Sequence, residues 1–154
     1  MMKKIEDCDY GYIGIVQSFD VDIVLDTHDN DYQGDSYYIL KDGDRYGLLI
    51  FGWGSCSGCD AYEAVYGYGD KPRDREGLYQ LRDELWKDVK WFDDHVELYE
   101  YMATNDELLQ WYGNEPAYQE LKNAFSSVIA SENYLKLKEA LSKKHSLFNF
   151  IHRR

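Results

Sequence analysis

The chain has 154 residues, 29 acids against 17 bases for a formal charge of −12, 44% hydrophobic residues and three cysteines. That length is one domain with a core of its own, spanning residues 1–154, and the apolar content excludes a disordered chain. An odd cysteine count argues against a disulfide framework, and no apolar run approaches membrane-spanning length, so a soluble cytoplasmic protein is expected.

The charge is unevenly spread: residues 1–70 carry −10, residues 71–112 carry −5, and residues 113–154 carry +3. A field of that sign repels nucleic acid and anionic membranes from the N-terminal half and attracts basic surfaces to it. In FDVDIVLD, Phe19, Val21, Ile23 and Leu25 alternate with Asp20, Asp22, Val24 and Asp26. This period of two predicts a strand with an apolar face inward and carboxylates outward. The acidic stretch that follows, DTHDNDYQGDS, has the spacing of a calcium loop at Asp29, Asp31 and Gly34, but Gln33 and Leu40 stand where ligands are needed. It reads as a solvated loop, with His28 a surface residue. In YYILKDGDRYGLLIF, Asp42-Gly43 between two β-prone runs predicts a hairpin that pairs Lys41 with Asp44 and Ile39 with Tyr46.

FGWGSCSGCDAYEA closes the β-rich part as a strand-to-helix turn, with Asp60 and Glu63 spaced to cap a short helix. From Pro72 onward the period becomes helical. Leu78, Leu81, Leu85 and Val89 form one stripe, and Tyr118, Leu121, Phe125, Val128 and Ile129 another. Shorter helices are expected at 94–103 and 132–144, and VKWF at 89–92 either ends a helix or adds a short strand. The helices should cover one face of the sheet. Lys136, Lys138, Lys143, Lys144, Arg153 and Arg154 frame Tyr134, Leu137 and Leu141, so the tail should pack on the core by its apolar side. The expected fold is α+β, an N-terminal antiparallel sheet packed against C-terminal helices.

Cys56 and Cys59 offer the candidate for thiol or zinc chemistry. Trp53, Cys56, Ser57, Gly58 and Cys59 between a strand and a helix resemble the thioredoxin active-site turn, where helix N–H groups lower a thiol pKa. The resemblance covers about a tenth of the chain and lacks the preceding βαβ pattern. A zinc site would need two more ligands, and Cys8 and the histidines at 28, 95, 145 and 152 form no second close pair. A Gly-rich turn with small, partly buried cysteines is the simpler reading, and no cofactor is expected.

The run YQGDSYYILKDGDRYGLLIFGWGSCSGCDAYEAV, with the WF-acidic element at Trp91 and Phe92, resembles the signature of a group of small uncharacterised proteins from bacteria and their phages. The similarity extends over about residues 20–105. It implies a cytoplasmic, phage-type protein and brings no activity with it. Carboxylates at i and i+2 on a strand stand about 6.6 Å apart. Asp20 and Asp22, extended by Asp26, Asp29, Asp31 and Asp35, would then make a row of roughly phosphate-strand charge density. Tyr10, Tyr12, Tyr32 and Trp53 would supply amphipathic anchors. The expected function is that of a non-catalytic inhibitor or adaptor that mimics nucleic acid toward a basic, nucleic-acid-binding host protein. The alternative is a zinc or thiol–disulfide protein acting through Cys56 and Cys59.

Overall fold

Tyr37, Ile39 and Leu40 in the middle of the sheet have no exposure to solvent, and Tyr38 has 4%. Neighbouring side chains on a strand point to opposite faces, so such a run requires cover on both sides. The computed structural model describes residues 1–30, 32–55, 60–67, 69–105 and 115–152, with the side chains of residues 115 and 145–152 excepted. A 3₁₀ turn, Ile5–Asp7, precedes α1 (Tyr12–Gln17), β1 (Asp22–His28), β2 (Gly34–Asp42) and β3 (Arg45–Trp53). Then come α2 (Ala61–Tyr66), α3 (Arg75–Asp88), β4 (Lys90–Phe92), α4 (His95–Thr104) and α5 (Glu115–His152). The four strands lie in chain order and every neighbouring pair is antiparallel. The chain is therefore α+β, and VKWF supplies the short edge strand β4.

The helices cover both faces of the sheet, not one. Tyr38, Leu40 and Leu49 pack with Ile15, Val16, Tyr62, Leu78, Leu81 and Leu85, which puts α1, α2 and α3 on the first face. Tyr37, Ile39, Tyr46 and Leu48 pack with Leu98, Met102, Tyr118, Leu121 and Phe125, which puts α4 and α5 on the second. Among the described residues no helix is long and apolar enough to cross a membrane.

The hairpin forms one residue away from its expected register. Asp42 pairs with Arg45, Lys41 with Tyr46 and Ile39 with Leu48, so the loop residues are Gly43 and Asp44. Gly43 has φ 63° and Asp44 does not have a positive φ, the pattern of a turn that needs glycine at its first central position. The Arg45 guanidinium donates to Asp42 at 2.9 Å across it. β1 also departs from simple alternation. It starts at Asp22, later than expected, and its pairing shifts between Ile23, opposite Leu40, and Leu25, opposite Ile39. This bulge sends Ile23 to the first face and Leu25 to the second.

The largest departure lies in α5, a single 38-residue helix. Its first half is fixed by Tyr118, Leu121 and Phe125, all fully buried. Glu132 ends the attachment: it accepts a hydrogen bond from the Tyr46 hydroxyl and faces His95 Nδ1 at 3.5 Å and Lys41 Nζ at 3.8 Å. From Asn133 to Lys144 the helix is solvent-facing, with Tyr134 at 64% and Leu137 at 59% exposure. The described side chains of the tail, Asn133 to Lys144, do not pack on the core as expected. Phe125→Ala should lower unfolding free energy by about 3–5 kcal/mol, whereas Leu137→Ala should change it by less than about 0.5 kcal/mol, both read from urea denaturation midpoints.

Candidate functional site

At the end of the sheet where β1 stops, β2 begins and β3 stops, several aromatic side chains converge around an open cleft. His28 lies opposite Ser36, and Trp53 lies opposite Gly34. Together with Tyr10, Tyr12, Tyr32, Asp60, Tyr62 and Glu63 they line a cleft of about 410 Å³. A second recess lined by His28, Asp29, Asn30, Tyr32 and Trp53 adjoins it.

Local chemistry builds the walls. Asp60, immediately before the first residue of α2, is 5% exposed and caps that helix by accepting from the Glu63 amide at 2.9 Å. Its carboxylate also accepts from the Tyr12 hydroxyl at 2.8 Å and from the Gly54 amide at 3.2 Å, so one side chain ties α1, the end of β3 and α2 together. The Tyr12 oxygen in turn accepts from the Tyr62 amide at 3.1 Å, and the Tyr62 oxygen accepts from the Gly11 amide at 2.9 Å. At Gly14 a Cβ would collide with the Asp9 carbonyl oxygen. Only glycine allows the segment before α1 to fold back so closely, with Asp9 and Gln17 joined by two hydrogen bonds of 2.9 and 2.8 Å.

The rings form a continuous ladder. Tyr62 stacks on Tyr66 at 5.3 Å, Tyr10 meets both edge-on, and Tyr12 contacts Phe51 at 4.7 Å and Tyr62 at 5.3 Å. Burial raises the Tyr12 phenol well above its ordinary value, and its bond to the Asp60 carboxylate adds to the rise. Burial likewise pushes Tyr62 up to about 12, against the Gly11 amide that favours its charged form. Both phenols stay protonated at neutral pH. Glu63 differs from these saturated groups, because its Oε2 is buried and has no hydrogen-bond partner among the described residues.

Among the described residues the expected carboxylate row does not form. Asp20 precedes β1 with φ 60° and pairs with Lys3 Nζ at 3.5 Å. Asp22 lies opposite Lys41 and Asp26 opposite Tyr38, and the bulge between them places the two on opposite faces. Asp29 and Asp35 are 7% and 0% exposed, and the Asp29 carboxylate accepts from the Asp35 amide at 2.8 Å to close the β1–β2 turn. Asp31, Cys56 and Cys59 lie outside the described residues. Tyr10, Tyr12, Tyr32 and Trp53 do come together, around the cleft. Sequence reasoning missed Tyr62 and Glu63 as part of this cleft. The cap at Asp60 was the available signal, since it sets both on the first turn of a helix.

No family model matches the chain, and neither the curated proteins nor the solved structures contain a match. Among the described residues no group of three or more His, Cys, Asp or Glu side chains is placed to hold a metal ion. Asp60→Ala removes an acceptor shared by three donors and should cost about 2–4 kcal/mol. Tyr12→Phe, which deletes one of those donors, should cost about 1 kcal/mol. Denaturation midpoints check both, and equal losses would show that Asp60 does not join the three segments.

Proposed function

We propose that the protein is a non-catalytic binding protein whose aromatic cleft receives a cationic side chain from a basic protein partner of the nucleic-acid-binding class. The observation that carries this reading is Glu63, which lines a cleft walled by tyrosines and Trp53 and whose buried Oε2 has no hydrogen-bond partner among the described residues. A carboxylate oxygen out of water gains most from a Lys or Arg donor, and aromatic faces attract the same cation. The other polar groups of the wall support binding over catalysis, because Asp60 is already engaged by three donors and Tyr12 and Tyr62 hold backbone amides. The excess of acids adds long-range attraction that raises the encounter rate with a basic surface.

An arginine- and lysine-rich peptide is the probe, titrated by calorimetry against wild type, Glu63→Gln and Tyr32→Ala. Each variant should bind about tenfold more weakly or worse, while Asp22→Asn, at the far end of β1, should bind nearly as wild type. Affinity should also fall with added salt. Equal binding by wild type and Glu63→Gln would remove the cleft from consideration.

A further inference from the structure

The exposed half of α5 carries an apolar stripe on the side of the helix away from its own core. At about 100° per residue, Tyr134, Leu137 and Leu141 lie roughly opposite to Tyr118, Leu121, Phe125 and Val128 around the helix axis. The first set is 64%, 59% and 57% exposed, and the second is buried or half-buried on the sheet. This chain's own body therefore cannot cover the stripe without breaking the helix. Beyond Glu132 the helix continues for twenty residues, about 30 Å at 1.5 Å per residue.

The same chain carries a face that complements it. On α4, Val96 and Tyr99 are 49% and 43% exposed, and Ala103 continues their line. Positions 96, 99 and 103 have the same three-then-four spacing as 134, 137 and 141, the spacing that lets two helices interlock. Exposed acids Asp93, Asp94, Glu97 and Glu100 surround the α4 face. Charge distinguishes the partners: residues 133–154 hold six bases and one acid, +5, whereas residues 1–132 hold eleven bases and 28 acids, −17. Two arms packed on each other would oppose like charges, while an arm on an acidic body brings opposite charges together.

We infer that the arm of α5 docks on α4 of a second copy of this chain, and that the exchange is reciprocal, giving a two-fold dimer. The helices run antiparallel, which sets Lys138 beside Glu100 of the partner subunit. Sedimentation velocity from low to high micromolar protein is the measurement. Wild type should reach twice the 18.2 kDa of the chain, and Leu137→Ser with Leu141→Ser should remain monomeric while keeping the helical circular dichroism of the fold. Lys138→Glu alone and Glu100→Lys alone should each raise the dimer Kd about tenfold, and the two together should restore most of the affinity. A monomer at every concentration, or a dimer that ignores either the serine changes or the charge exchange, overturns the proposal. A monomer that floats with phosphatidylserine vesicles would overturn it too, and would give the arm to a membrane surface.

Discussion

The run Tyr37–Leu40 sets a constraint from which the layering follows: a strand whose side chains alternate between two faces cannot bury four apolar neighbours against one layer. Each such side chain stabilises the fold by about 1.5–3 kcal/mol when buried, so an uncovered face would forfeit an amount comparable to the roughly 5–15 kcal/mol that holds a typical domain together. The chain meets the constraint in sequence order. Residues ahead of the sheet, with α2 and α3, cover one face, and β4 then carries the chain across. Val89 still packs on the first layer, while Phe92 packs on the second with α4 and α5.

Around the cleft near Gly34, tyrosine takes the place that aliphatic residues hold deeper in the layers. A tyrosine ring can fill space while its hydroxyl satisfies a backbone amide that would otherwise be stranded. Tyr12 and Tyr62 each do this, and Asp60 satisfies two further amides. The cleft is thus a consequence of how the layers end. Its polar lining is mostly committed to holding the walls in place, and Glu63 Oε2 is the exception, with no hydrogen-bond partner among the described residues.

The elements were largely legible in the sequence, and their relations were not. The leucine stripe of α3, the strands and the cap at Asp60 follow from local spacing, which is what periodicity reports. The hairpin was legible but its register was not, because Asp-Gly and Gly-Asp turns both fit DGD and only the backbone angle at Gly43 separates them. One bulge in DIVLD was enough to split Asp22 from Asp26, since a single extra residue reverses every side chain beyond it. The cover on both faces was present in YYIL, where alternation fails. The anchors Tyr10, Tyr12, Tyr32 and Trp53 were legible by residue type, but their meeting depends on contacts between segments far apart in the chain.

The reversal of the apolar stripe within α5 explains why the tail misleads a periodic reading. Each half carries an apolar stripe, toward opposite sides, with the exposed Leu135 off the second stripe, so a stripe found in 134–141 says nothing about the core that 118–129 faces. The exposed half can nevertheless stay helical without tertiary contacts. An isolated helix of about twenty residues is marginal in water mainly because nucleation is costly, and here the buried half of the same helix has already formed the nucleus. Glu132 and Lys136, and again Glu139 and Lys143, stand four residues apart in the favourable order. Lysines toward the C-terminus also oppose the negative end of the helix dipole. The sequence therefore sustains an extended helix whose main apolar stripe faces away from the sheet, an arrangement that leaves apolar surface exposed and that any surface covering the stripe would stabilise further.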